Sequence, residues 1–258
     1  MSAHRSKPVR SAITGHLLFT SASPPGGTLA TMPMNQSRRS VLAAAVAAPV
    51  VVAGLASAPA AAADGDGQPL VIAHRGASRY APENTMAAFD LGIELRADLL
   101  EADVQRTKDG VLVLVHDTDL RRTTDVEQRY PGRSSYAVKD MTWAEIRTLD
   151  AGSWKSPRYA GERIPTLSAL VRRVKERRSG LLLELKSPAL YPGIERQVHD
   201  AFRAGGLLSY GRETGRVQVQ SFDFTSMKRY HAIDPRMTIG VLGRPYRWEL
   251  DDLTWADQ

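Results

Sequence analysis

The chain has 258 residues, 43% of them hydrophobic and 24% charged, with a formal net charge of +6 and no cysteine. The absence of cysteine excludes disulfides and thiolate metal sites, and the apolar fraction excludes a wholly disordered chain. The basic excess is local: residues 1–63 hold five Lys/Arg and no Asp/Glu, leaving 29 basic and 28 acidic residues from 64 onward, so charge gives no argument for nucleic-acid binding.

Residues 37–42 read Ser-Arg-Arg-Ser-Val-Leu, an alanine- and valine-rich run follows from Val41 to about Ala58, and Ala61-Ala62-Ala63 offers small residues to a signal peptidase. A positive start, an apolar run and a small-residue cleavage site make a secretory leader, and the Arg38-Arg39 pair resembles a twin-arginine signal. The run is long enough to span a bilayer, but it is weakly apolar and ends in a cleavage-type tripeptide. The expectation is a leader within about 32–63 and an exported domain over 64–258, with no stable membrane span in the mature protein. Met32 or Met34 would put the arginine pair nearer the N-terminus, so translation is expected to start there rather than at Met1.

From residue 71 short apolar runs alternate with amphipathic ones. A strand over 71–74 precedes a helix over 85–95, with Asn84 as its expected N-cap. Strands over 98–104 and 111–116 are separated by the tight turn Lys108-Asp109-Gly110. The alternation lapses over 118–163, where Thr142-Trp-Ala-Glu145 has the form of a capping box. A stretch this long without strong elements is read as an inserted or functional segment. A helix over 168–178, a strand over 180–185, a helix over 194–204, a strand over 217–221, a helix over 225–231 and a strand over 238–242 complete the pattern. This is an α/β alternation with predominantly parallel strands and six core strands in all.

Several apolar runs carry groups that are costly to bury alone. Glu101 and Asp103 lie two apart, so they share one face of a strand. Two buried carboxylates repel unless a proton or cation sits between them, and a hard divalent cation suits oxygen ligands. A solvated acidic edge would give the same spacing, although Leu99, Leu100, Ala102 and Val104 count against it. Glu184 and Lys186 repeat the spacing. Glu184 could complete the ligand set and Lys186 could meet an anion, or the two could form a structural ion pair. His74 and His116 each close an apolar run, as a general acid and base would, or as satisfied core histidines would. Arg75 could neutralise a phosphate, and Ser221 and Phe222 could line the pocket. Together these groups read as metal-assisted attack on a phosphate ester with histidine acid and base.

The motifs His74-Arg75-Gly76, Pro82-Glu83-Asn84-Thr85, Glu101-Ala-Asp103, Asp109-Gly110, His116-Asp117, Arg122-Thr123-Thr124, Ile164-Pro165-Thr166-Leu167 and Glu184-Leu-Lys186 occur in an order that resembles the glycerophosphodiester phosphodiesterase family. The resemblance covers about residues 70–243. It implies a TIM-type (β/α) barrel with an insertion after the third strand, over 118–163 here. The last two strands of such a barrel find no counterpart in the pattern, so a longer gene product is expected. The resemblance further implies hydrolysis of glycerophosphodiesters to glycerol 3-phosphate and an alcohol. It makes His74 and His116 the acid/base pair, and Glu101, Asp103 and Glu184 the ligands of Ca²⁺ or Mg²⁺. Arg75 and Lys186 would hold the phosphate, with Glu83 and Asn84 supporting the substrate site. A related phospholipase C- or D-type phosphodiesterase and a non-catalytic exported binding module are the alternatives.

Overall fold

The computed structural model describes residues 69–243; the expected leader and start codon lie outside the described residues. Strand β1 (Ile72–Ala73) leads through a sharp turn to helix α1 (Met86–Glu94), then to β2 (Leu99–Arg106) and β3 (Leu112–Leu114). Two short helices follow, α2 (Val126–Arg129) and α3 (Trp143–Ile146). Then come α4 (Leu167–Arg177), β4 (Gly180–Leu185), α5 (Ile194–Ala204), α6 (Leu207–Thr214), β5 (Val217–Ser221), α7 (Phe224–Ile233) and β6 (Thr238–Val241). The sheet order is β1-β2-β4-β5-β6, every neighbouring pair parallel, and β3 lies antiparallel on β2. Helical crossovers between parallel strands make this an α/β architecture of the TIM-barrel kind, present as five parallel strands among the described residues.

The expectation of six core strands is corrected in one respect: β3 is not a parallel barrel strand. The turn at Lys108-Asp109-Gly110 is too short for the crossover that parallel pairing requires. Thr107 Oγ1 donates to Asp109 Oδ1 at 2.6 Å, and Gly110 adopts φ +89°. The chain therefore folds back, pairing Val104 with Leu114.

The core sits between the sheet and its helices. Leu99, Leu100, Ala102 and Val104 of β2, and Leu181, Leu183 and Leu185 of β4, are buried. Phe89, Leu170, Val174, Val198 and Phe202 pack in from the helices. Burying a side chain of this size stabilises by about 1.5–3 kcal/mol. The segment over 118–163 has a core of its own: Leu120, Val126, Val138, Met141, Ile146 and Leu149 cluster against Val113 and Val115. Within it the Thr142–Glu145 capping box forms as the spacing predicts. Asp150 accepts bonds from the backbone N–H groups of Gly152, Ser153 and Gly161, each at 2.8 Å.

Two further readings are revised. Thr85, not Asn84, caps α1: its hydroxyl accepts from Ala88 N–H. Asn84 has φ +56° and turns its amide toward β2. Helix α6, which brings Leu207, Leu208 and Tyr210 into the core, was not expected; at eight residues between two glycines it gives only a weak periodic signal.

Candidate active site

The parallel register places the chemistry at one end of the sheet. Asp103 pairs with Glu184 across β2 and β4, and alternation puts Glu101 on the same face. Oxygen atoms of Glu101, Asp103 and Glu184 lie within 4.8 Å of one another, and all three residues are buried. Burial and the charge of Asp103 push the Glu101 carboxyl up to about 8, against a hydrogen bond from Arg75 N–H at 2.6 Å. Burial also raises Glu184, whose Oε1 accepts from Lys186 Nζ at 2.8 Å.

His74 and Arg75 follow β1 directly. Arg75 has φ +55° and Gly76 φ +75°, a left-handed pair that reverses the chain at once. At Gly76 a Cβ would lie 2.6 Å from the Ala88 carbonyl carbon of α1, so only glycine fits this approach. The turn aims Arg75 N–H at Glu101 and sets the His74 ring over the cluster, its Nε2 4.0 Å from Glu101 Oε2. Partial desolvation and the charge of Arg75 lower the His74 pKa.

Asn84 ties the next loop to β2. Its Nδ2 donates to Asp103 Oδ2 at 2.9 Å, and its Oδ1 accepts from Asp103 N–H at 3.1 Å. Glu83 accepts from Arg75 Nη1 at 3.1 Å and from Arg122 at 2.7 and 3.0 Å. The two arginines outweigh burial and hold the Glu83 carboxyl below its usual value. Arg122 also donates to Asp117 through Nε and Nη2, at 2.5 and 3.1 Å. This contact, chief among the causes, holds Asp117 at a pKa of about 2. Asp117 accepts from His116 Nδ1–H at 2.7 Å, which leaves Nε2 as the ring atom able to exchange a proton with a bound molecule.

Nine of the residues singled out in the sequence, His74, Arg75, Glu83, Asn84, Glu101, Asp103, His116, Glu184 and Lys186, are therefore drawn into one constellation. Glu83 and Asn84 engage protein partners, which makes them supports of the ligand-facing groups. Ser221 is turned inward, donating to the Leu185 carbonyl at 2.8 Å. Phe222 is exposed beneath Lys186, whose Nζ lies 5.6 Å from the ring centre. Both line an open cleft of about 360 Å³ that also takes in Glu184, Lys186 and Ser187. Sequence reasoning gave no role to Asp117 or Arg122, which it met only as parts of motifs, and it passed over Gln105. The signal for Gln105 was available: it continues the two-residue spacing of Glu101 and Asp103 on the same strand face.

The donor set fits a hard divalent cation. Three carboxylates converge, and Asp103 Oδ1 is buried without a hydrogen bond, an arrangement that oxygen-seeking cations satisfy. Arg75 Nε is likewise buried without a hydrogen bond and lies 3.5 Å from Asp103 Oδ2, which sets the guanidinium charge against the carboxylate cluster. A cation site bordered by two arginines, a lysine and two histidines suits an anionic ester that needs proton transfer at two oxygens.

Residues 74–257 match the glycerophosphoryl diester phosphodiesterase family, and the chain belongs to that family. A glycerophosphodiester phosphodiesterase of Caldanaerobacter subterraneus is 42% identical over 174 residues, 67% of this chain and 66% of the relative. One from Bacillus subtilis is 36% identical over 176 residues, 65% of this chain and 57% of the relative. The chain thus spans somewhat less than two thirds of the length of these curated relatives. Among solved structures, an Oleispira antarctica phosphodiesterase in complex with the product sn-glycerol-3-phosphate superposes with a TM-score of 0.61 at 29% identity, covering 73% of this chain and 72% of that one. A glycerophosphodiester phosphodiesterase from Agrobacterium tumefaciens gives a TM-score of 0.55 at 33% identity, covering 67% and 66%.

Proposed function

We propose that the protein hydrolyses glycerophosphodiesters to glycerol 3-phosphate and an alcohol, with His74 and His116 as the proton-transfer pair. The observation that carries this reading is the convergence of Glu101, Asp103 and Glu184 with His74, 4.0 Å from Glu101, and with the His116–Asp117 pair close enough for His116 to act on Glu184. The family relationship and the product-bound relative support the substrate class.

Arg75 and Lys186 supply positive charge to the phosphate oxygens from positions against the carboxylates, Arg75 Nε 3.5 Å from Asp103 Oδ2 and Lys186 Nζ 2.8 Å from Glu184 Oε1. One histidine takes the proton of the attacking hydroxyl, which is either water or a free hydroxyl of the substrate glycerol. A new P–O bond forms while the P–O bond to the alcohol breaks, and the other histidine protonates the departing oxygen. If the glycerol hydroxyl attacks first, water then opens the cyclic phosphate by the same pair acting in reverse. A divalent cation, Ca²⁺ or Mg²⁺, held by Glu101, Asp103 and Glu184 would supply positive charge against the phosphate. Arg122 keeps Asp117 ionised and so keeps His116 oriented.

The test is release of glycerol 3-phosphate from glycerophosphocholine, with Ca²⁺, with Mg²⁺ and with chelator. Turnover that chelator abolishes is expected. Accumulation of a cyclic phosphate as final product would assign a phospholipase-type reaction instead. A folded chain that binds glycerophosphocholine without turnover would assign a binding module. Export by the twin-arginine route belongs to the same reading and rests on Arg38, Arg39 and the apolar run after them. Changing both arginines to lysine should leave precursor inside the cell, and unchanged export would remove the proposal.

A further inference from the structure

Where β3 ends, the backbone loses its ladder partner. Val115 N–H still donates to the Asp103 carbonyl at 3.0 Å, but the chain then departs toward the segment over 118–163. Three successive carbonyls would be left to a single donor: Gln105 Nε2 lies 2.9 Å from Val115 O, 3.2 Å from His116 O and 2.7 Å from Asp117 O. Gln105 is fully buried on β2, two residues past Asp103. Its Oε1 accepts from Tyr191 Oη at 2.8 Å. Tyr191 is also buried, and it ends the single 3₁₀ turn Pro188–Leu190 that follows Glu184 and Lys186.

The two contacts depend on each other. An amide can turn end for end, and in the reversed orientation its oxygen would face three carbonyl oxygens. The carbonyls accept only, so they fix which amide atom faces them, and Tyr191 donates to the oxygen left at the other end. Tyr191 thereby holds the amide in place, and the amide holds the carbonyls that flank and include His116.

We infer that Gln105 and Tyr191 are a positioning pair that fixes the backbone carrying His116 and Asp117 and joins it to the segment at the end of β4. Neither residue touches the reacting atoms. The inference rests on the reading of His116 as a proton-transfer group. It differs from simple packing in one respect: a methionine at position 105 fills nearly the same volume but cannot donate.

The experiment is nitrogen-15 NMR of the histidine rings in the full chain, for wild type, Gln105→Met and Tyr191→Phe. Wild-type His116 should show one tautomer, protonated at Nδ1. In both variants the His116 signals should broaden or average between tautomers, while those of His199, on α5 against Tyr230 of α7, stay in place. Where the wild-type chain turns over glycerophosphocholine, kcat should fall about tenfold with KM within about twofold. Unchanged His116 signals in both variants would overturn the inference. If Gln105→Met does not fold, the Tyr191→Phe spectrum decides alone. A wild-type chain that neither binds Ca²⁺ nor turns over substrate would defeat the functional reading, and the ring spectra would still answer this question.

Discussion

The two histidines of the site have different neighbours. His74 stands at a strand end beside Arg75, whereas His116 is held by a carboxylate that is itself held by Arg122. Replacing either histidine with alanine should lower turnover about 10²-fold or more, read by steady-state release of glycerol 3-phosphate. Near-wild-type rates in either variant would remove that histidine from the chemistry. Arg122 carries a second consequence. Asp117 has a folded pKa of about 2 against an unfolded value of about 3.9. A depressed carboxylate contributes stability that is full above the unfolded value and is lost as pH falls through the folded one. Melting temperatures of wild type should therefore decline between about pH 4 and pH 2 more steeply than those of Arg122→Ala. Parallel curves would show that the Arg122–Asp117 contact is not the source. This link was invisible in the sequence, because Asp117 and Arg122 are five residues apart in a segment with no regular period. Only the backbone path brings Arg122 onto Asp117 and Glu83 together.

At the scale of elements, most of the order was legible. Alternating apolar runs and amphipathic stretches located every strand and four of the longer helices among the described residues, because burial on a sheet and burial on a helix face leave different periods. What the pattern could not convey was strand direction. A run such as Val111–Val115 looks the same whether it continues a parallel sheet or folds back as a hairpin. The deciding information lay in the length of the connection before it. The helix cap was misplaced by one residue for a related reason: Asn and Thr are both good caps, and here Asn84 is used by Asp103. Two element-level predictions follow from the geometry. Gly76→Ala forces a left-handed residue against α1 and should cost well over about 1 kcal/mol, measured by denaturant unfolding, with Ca²⁺ affinity falling because Arg75 N–H leaves Glu101. Thr142→Ala breaks the capping box of α3 and should cost about 1 kcal/mol with turnover unaffected. Equal losses of cation binding in the two variants would contradict the division between site and supporting segment.

For the molecule as a whole, the site is a joint between elements that also share the backbone hydrogen bonds of the sheet and its core. β1 contributes His74 and Arg75, β2 the central carboxylates, β4 Glu184 and Lys186, and the segment beyond β3 supplies Arg122. A cation bound across β2 and β4 would stabilise only the folded chain. At a hundredfold excess over Kd that amounts to about 2.7 kcal/mol, or a rise of roughly 5–10 °C in Tm for a domain of this size. Chelator should reverse the rise, and Glu184→Gln should reduce it. A Tm indifferent to Ca²⁺ and Mg²⁺ in the wild type would argue against a cation at the three carboxylates. Among the described residues no helix is long and apolar enough to cross a membrane.

The fold-back of β3 also bears on the order in which the site is assembled. Asp103 and His116 are thirteen residues apart and joined by a hairpin whose turn is fixed locally by Thr107, Asp109 and Gly110. Hairpins close in about 1–10 μs, whereas parallel strands must wait for long loops to close around their crossovers. Two carboxylates, Glu101 and Asp103, and His116 thus share a neighbourhood before β4 delivers Glu184. Two of the three clustered carboxylates are encoded close to His116 in the chain, and the third waits for the parallel pairing of β4.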